Sequence, residues 1–280
     1  MSTHSPVPAP VIAFIGGGNM ARSLIGGLVA RGTDPARIHV ANPGEGKREA
    51  LRRDFGVAVF ARAEDAVDGA GLWLFSVKPQ VLRGVCETLA PLARATHPLL
   101  VSIAAGISCA QLRRWLGDAE ARVVRAMPNT PALLGAGVTG LHADAGLSAG
   151  LREQAEGVLS AAGKTVWIDD EALMDAVTAV SGSGPAYAFL LAEAMETAAR
   201  AEGLPADAAR ALVVQTLLGA ARMLAESGEP AGELRRRVTS PGGTTQAAIE
   251  TFQNGGFEAL VADAIHAARV RGAQLSAANG

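Results

Sequence analysis

The chain has 280 residues, 49% of them hydrophobic, and its 25 basic and 27 acidic side chains leave a formal net charge of -2 at pH 7. This length supports one large or two ordinary domains, each with a core that needs neither disulfide nor metal to fold. The balanced charge carries no polybasic tract, which argues against nucleic acid or an anionic membrane as a partner. The two cysteines, Cys86 and Cys109, form no Cys-x-x-Cys motif and read as small buried hydrophobes in a reducing, cytoplasmic compartment.

In chain order, the lead-in MSTHSPVPAP has neither the basic n-region nor the apolar h-region of a secretory signal, and disorder is expected there. No apolar run is expected to approach the ~20 residues of a transmembrane helix. Val11 to Ile15 then reads as a buried parallel strand, followed by a glycine-rich turn into a helix. The spacing is Gly16-x-Gly18-x-x-Ala21. Gly16 permits the tight turn, Gly18 lets the backbone approach a pyrophosphate, and Ala21 lets helix and strand pack closely. Asn19 and Met20 open the helix, whose free N–H groups and positive dipole end face the phosphates. Ala21, Leu24, Ile25, Leu28 and Val29 recur at helical spacing until Gly32 stops the run.

Ile38 to Ala41 is a second strand, and its carboxyl end is where an adenosine ribose would lie. An NAD site usually places Asp or Glu there to hold the 2′-hydroxyl. Here Asn42 stands in that place, followed by Lys47 and Arg48. The expectation is NADPH in preference to NADH, with Asn42 and Lys47 or Arg48 near the 2′-phosphate.

Val57 to Phe60 and Leu72 to Val77 follow as strands, with a short helix from Ala63 to Asp68 between them, and this alternation predicts a parallel sheet. The next loop, Ser76-Val77-Lys78-Pro79-Gln80, lies outside a strand's carboxyl end, where ligands of open α/β sheets bind. Val77, Lys78 and Pro79 are therefore coenzyme candidates. Pro98 to Ser102 runs into Ala104-Ala105-Gly106, small enough to admit a flat nicotinamide beside Ala105, and Ser108 can cap the following helix. Arg122 to Ala126 leads to Met127-Pro128-Asn129-Thr130-Pro131, a stretch stiffened by two prolines that presents Asn129 on the coenzyme side. Gly137 to Leu141 and Thr165 to Ile168 are further strands, flanking a helix from Leu151 to Ala162.

From Asp169 the pattern turns alanine-rich and helical. Residues 1–168 are thus read as a dinucleotide-binding α/β domain and 169–280 as a helical substrate-binding domain. The segment from Leu212 to Leu224 is apolar on more than one face, which calls for burial all round, through homodimerisation or in a bundle folded back on the sheet. Ser181-Gly182-Ser183-Gly184-Pro185 is expected to break one helix and start another, capped by Ser183 or Gly184 with Pro185 at the first helical position. In Val238-Thr239-Ser240-Pro241-Gly242-Gly243-Thr244-Thr245, unpaired N–H groups at a helix start meet the hydroxyls of Ser240, Thr244 and Thr245. That combination makes a nest for a small carboxylate.

The three lysines, Lys47, Lys78 and Lys164, all precede the helical region, so no lysine acid/base is available there. Tyr187, the one tyrosine, has no lysine four residues on. The five histidines show no HExxH and no His/Cys metal spacing, so no metal is expected. A nicotinamide enzyme without a strong general acid suits a substrate that already carries its proton, such as an iminium.

FIGGGNMA, SVKPQ, SIAAGIS, RAMPNTPA, SGSGPAY and VTSPGGTT occur in that order. With them the chain resembles the pyrroline-5-carboxylate reductase family over nearly its whole length. The resemblance implies an α/β fold, with an N-terminal Rossmann-type parallel-sheet domain followed by an all-helical dimerisation domain, and dimers that associate further. It also implies reduction of 1-pyrroline-5-carboxylate to L-proline with NADPH, or less well NADH. Ser240, Gly243, Thr244 and Thr245, from the partner subunit, would hold the substrate carboxylate and ring nitrogen, with Ser240 and Thr245 closest to the chemistry. Gly16, Gly18, Asn19, Met20, Asn42, Lys78, Pro79 and Ala105 would line the coenzyme. A reductase for a related cyclic imine acid and a non-catalytic nucleotide sensor are the alternatives.

Overall fold

The computed structural model describes residues 10–278, so the disorder expected of the lead-in falls, up to residue 9, outside the described residues. The chain divides into two compact units. The first runs to Ser183 and takes in the chain again from Ala268; the second is Gly184–Ala267. The expected boundary after residue 168 lies ahead of this division.

Eight strands form one sheet: β1 (Val11–Ile15), β2 (Ile38–Ala41), β3 (Ala58–Phe60), β4 (Ala70–Phe75), β5 (Leu99–Ser102), β6 (Arg122–Met127), β7 (Gly137–His142) and β8 (Gly163–Trp167). Their order is β3-β2-β1-β4-β5-β6-β7-β8. All neighbours are parallel except β6 and β7. The exception follows from the connections: only a short turn around Thr130–Leu134 joins β6 to β7, and a parallel return needs a longer crossover. The chain supplies such a crossover between β7 and β8, through a helix. β4 starts and stops earlier than the apolar run predicts, which leaves Ser76 and Val77 in the loop.

Helices cover both faces of the sheet: α1 (Asn19–Ala30), α2 (Glu45–Phe55), α3 (Ala63–Ala66), α4 (Pro79–Thr96), α5 (Cys109–Leu116) and α6 (Ala149–Leu159). Successive strand residues point to opposite sides. Ile12 and Phe14 with Leu72 and Leu74 pack against Leu24 and Ile25 of α1. Ala13 and Ile15 with Trp73 and Phe75 pack against Leu82 and Leu89 of α4 and Leu112 of α5. Ser108 caps α5 as expected, accepting from the Gln111 amide while the Gln111 side chain accepts from the Ser108 amide.

Both cysteines are buried and free. Burial pushes the Cys86 thiol, on α4, up to about 12. An unfolded chain would lose that proton near pH 8.5, so the thiol favours the folded state below that pH and the benefit drains away as pH climbs towards 12. Stability is expected to fall by about 1.4 kcal/mol per pH unit from this group alone above about pH 9. Urea unfolding of the wild type and Cys86→Ala across that range checks it: the variant should show a shallower decline, and parallel curves would refute the assignment.

After β8 come α7 (Met174–Val177), α8 (Gly184–Ala201), α9 (Ala206–Glu226), α10 (Ala231–Arg237), α11 (Thr244–Asn254) and α12 (Phe257–Ala278). One helical element ends and another begins at SGSGP as expected, but the first ends in a wide turn. Thr178–Gly182 is π-helical and Ser183 keeps right-handed angles (φ -88°, ψ -21°), so Gly184, not Pro185, opens α8. The membrane expectation also needs correction, because α9 is long and apolar enough to cross a membrane by length and composition alone. Within its unit only Ala209 and Val213 of α9 are buried, while Leu212, Val214, Leu218, Met223 and Leu224 are each about half exposed. That surface needs a cover.

Candidate active site

The coenzyme-side residues gather at the carboxyl edge of the sheet, where strand order reverses between β1 and β4. Gly16 has φ +107°, and a Cβ there would lie 2.7 Å from the Ser76 carbonyl oxygen. Its amide donates to the Ala41 carbonyl (2.9 Å), and the Ser76 hydroxyl donates to the Gly16 carbonyl (2.7 Å). Ser76 thus braces the turn, a role that the sequence did not single out because its partner is sixty residues away. Gly18 is the N-cap of α1, with no side-chain cap and nothing within 4 Å of where its Cβ would be. The uncapped amides of Asn19 and Met20 follow in the first turn, where an anion can take the place of a cap.

Asn42 has a structural job besides the coenzyme-side one expected of it. It is buried, its Oδ1 accepts from the Gly17 amide (3.2 Å), and its Nδ2 donates to the Gly44 carbonyl (3.2 Å). Arg48 is committed to the carbonyls of Asn42 (2.8 Å) and Pro43 (2.7 Å). Lys47 is exposed, forms no ion pair among the described residues, and sits on the first turn of α2, whose N-cap Gly44 has no side chain to offer. Of the two basic candidates, Lys47 is the one left free.

Val77 lies against Gly16, exposed Lys78 is the N-cap of α4 with Pro79 at its first position, and Ala105 is exposed after β5. Asn129 is buried and both of its amide atoms are engaged: Oδ1 accepts from the Val138 amide (3.0 Å) and Nδ2 donates to the Ser181 carbonyl (3.1 Å). It braces the loop after β6 against the π-helical turn. The structure also assembles a group that sequence spacing did not reveal, in which Cys109, His142 and Glu171 place ligand atoms within 4.8 Å of one another.

In the second unit, Gly242 has φ +73° and lets the chain turn into α11, with Gly243 as an N-cap that carries no side chain. The Gly243 amide is used by the Ser240 carbonyl (3.0 Å), and the Gly242 amide by Oε1 of Gln246 (2.6 Å). The hydroxyls of Ser240, Thr244 and Thr245 make no hydrogen bond among the described residues, so none of them serves as the helix cap. Three free hydroxyls beside an uncapped eleven-residue helix are suited to a small carboxylate.

The switch-point edge, the braced glycine turn and the uncapped α1 define a dinucleotide-binding oxidoreductase of the Rossmann type. Residues 11–106 match the family model described as NADP oxidoreductase, coenzyme F420-dependent, and residues 171–275 match pyrroline-5-carboxylate reductase dimerisation. A Pseudomonas aeruginosa pyrroline-5-carboxylate reductase is 54% identical over 95% of this chain and 97% of its own. The chain belongs to the pyrroline-5-carboxylate reductase family. A solved Coxiella burnetii pyrroline-5-carboxylate reductase superposes with a TM-score of 0.92 at 40% identity, covering 95% of this chain and 98% of that one. A Plasmodium falciparum pyrroline carboxylate reductase with NADP bound gives 0.82 at 25%, with the same coverage.

Proposed function

We infer that this chain reduces 1-pyrroline-5-carboxylate to L-proline, the closing step of proline formation. The observation that carries the reading is the SPGGTT turn, whose free hydroxyls and uncapped helix offer donors and acceptors but no strong acid. When bound at the sheet edge, the dihydronicotinamide supplies a hydride to the C=N carbon. Ser240, Gly243 and Thr244 hold the substrate carboxylate, and Thr245 faces the ring nitrogen, which keeps its proton throughout. Catalysis is then chiefly positioning. The test is consumption of NADPH by the purified chain on addition of 1-pyrroline-5-carboxylate, with proline identified as the product; no turnover would refute the reading.

The preferred coenzyme is NADPH. No carboxylate stands after β2, and Lys47 is available to a 2′-phosphate at the uncapped start of α2. Asn42→Asp is expected to move kcat/KM towards NADH. The carboxylate can still accept from the Gly17 amide, but its second oxygen would face the Gly44 carbonyl in place of a donor, so a loss of about 1–3 kcal/mol in stability accompanies the switch. Kinetics with both coenzymes check this, and a wild type that favours NADH would overturn it.

The working form is a cytoplasmic homodimer, or a larger assembly of dimers, built on the helical region. The half-exposed apolar side chains of α9 support that reading, since about 25 cal/mol per Å² is recovered on covering such surface.

A further inference from the structure

Cys109, His142 and Glu171 are separated along the chain by 33 and 29 residues, yet α5, β7 and the turn after β8 bring them together. Cys109 is the first residue of α5. His142 ends β7, its side chain 5% exposed, and its Nδ1 lies 2.8 Å from the Ile168 carbonyl oxygen. A carbonyl can only accept, so Nδ1 carries a proton, and in the neutral ring the lone pair lies on Nε2. That nitrogen has no hydrogen-bond partner among the described residues; Oδ1 of Asp144 stands 3.9 Å away. A backbone carbonyl behind the distal nitrogen is the arrangement that fixes a histidine for metal ligation. Glu171 accepts from the Cys109 amide (2.8 Å) and from Arg125 (3.4 Å), both through Oε1, and its carboxylate also takes a hydrogen bond from the Cys109 thiol.

We propose that Cys109, His142 and Glu171 form a binding site for a divalent cation of borderline softness, Zn²⁺ or Co²⁺, with Asp144 or a water as the fourth ligand. Sulfur, imidazole nitrogen and carboxylate oxygen together select such ions over Mg²⁺ or Ca²⁺. Ligand atoms of a tetrahedral zinc site lie roughly 3.3–3.8 Å apart given its bond lengths, so a contraction of no more than about 1–1.5 Å closes the group on the ion. Local charge favours this. Arg113 pairs with Asp144, and Arg125 with Glu171 and Asp175, which leaves one negative charge in excess. On binding, the Cys109 thiol gives its proton to water and forms the sulfur–metal bond; the thiolate adds a second negative charge, and a divalent ion balances both. The half-exposed Asp144 side chain gives the ion a way in from solvent.

The test is titration of the full-length chain, stripped with a chelator, with Co²⁺. Saturation at one ion per chain is expected, with a thiolate-to-cobalt charge-transfer band, release of about one proton, and loss of the band on adding Zn²⁺. Cys109→Ser should abolish the band, and His142→Gln should weaken binding by more than about tenfold. Circular dichroism establishes that each variant is folded. Should one not fold, Glu171→Gln supplies the comparison, with a weaker affinity expected. Absence of the charge-transfer band in the wild type, or its survival in Cys109→Ser, would overturn the proposal.

Discussion

Gly16→Ala is expected to cost both stability and coenzyme binding, whereas Gly18→Ala should cost binding alone. At Gly16 the backbone sits at φ +107°, and an added Cβ meets the Ser76 carbonyl oxygen at 2.7 Å and its carbon at 2.8 Å. Neither atom is at the end of a flexible side chain, so the β1–α1 turn has to move. The strain is about 1–3 kcal/mol before the clash is counted, and each kcal/mol lowers Tm by roughly 2–4 °C in a chain of this size. Because Ser76 hydrogen-bonds the same turn, displacement also breaks the edge that receives the coenzyme. At Gly18 the angles suit any residue (φ -78°) and the space is open, so the fold should not register a methyl group. In the proposed coenzyme site that open space admits phosphate oxygens to the α1 amides, and filling it should weaken NADPH at least about tenfold, or ~1.4 kcal/mol. Calorimetric Tm and an NADPH titration on both variants separate the two roles. A Gly18→Ala protein that binds like wild type would dismiss the phosphate assignment, and a Gly16→Ala protein as stable as wild type would dismiss the strain argument.

The contrast also marks what the sequence makes legible. The strand, turn and helix around Gly16 are written within about twenty residues, and β2 has the bounds that its apolar run predicts, because both rest on local pattern. The SPGGTT turn is readable for the same reason, since its glycines, hydroxyls and helix start are consecutive. What the sequence hides is the long-range pairing. Asn42 and Asn129 read as coenzyme-side residues, but nothing local in the sequence tells that the amide of the first also holds Gly17 and Gly44 and that of the second spans to Ser181. Both are asparagines at the carboxyl edge of the sheet, the right place for a ligand, yet buried amides are used first to satisfy backbone groups that would otherwise go unpaired. Helix α9 is a different case. Its apolar stretch from Leu212 to Leu224 is legible in the sequence but its full length is not, and whether it means membrane, core or partner depends on what covers it; the match to the dimerisation family model supplies the reading.

Thr245→Val is expected to lower kcat/KM about tenfold to a hundredfold while leaving NADPH affinity nearly unchanged. Valine keeps the β-branched shape, so the first turn of α11 keeps its packing and loses only the hydroxyl. That hydroxyl makes no hydrogen bond among the described residues, so its removal orphans no internal partner and the effect on stability should be small. In the proposed site the oxygen accepts from the iminium N–H, orients the C=N carbon, and supports nitrogen as its positive charge is quenched by the incoming hydride. Removing one such partner costs roughly 1–3 kcal/mol, which converts to the stated range. In the proposed coenzyme site the nucleotide rests on the glycine turn of the first unit, and its Kd should therefore not follow. Ser240→Ala should act mainly on KM, because a carboxylate contact is made equally in the ground state and the transition state. Steady-state kinetics with 1-pyrroline-5-carboxylate, alongside NADPH titration, separate these effects. If Thr245→Val turned over like wild type, or lost NADPH binding as severely as catalysis, Thr245 would not be the residue that faces the substrate nitrogen.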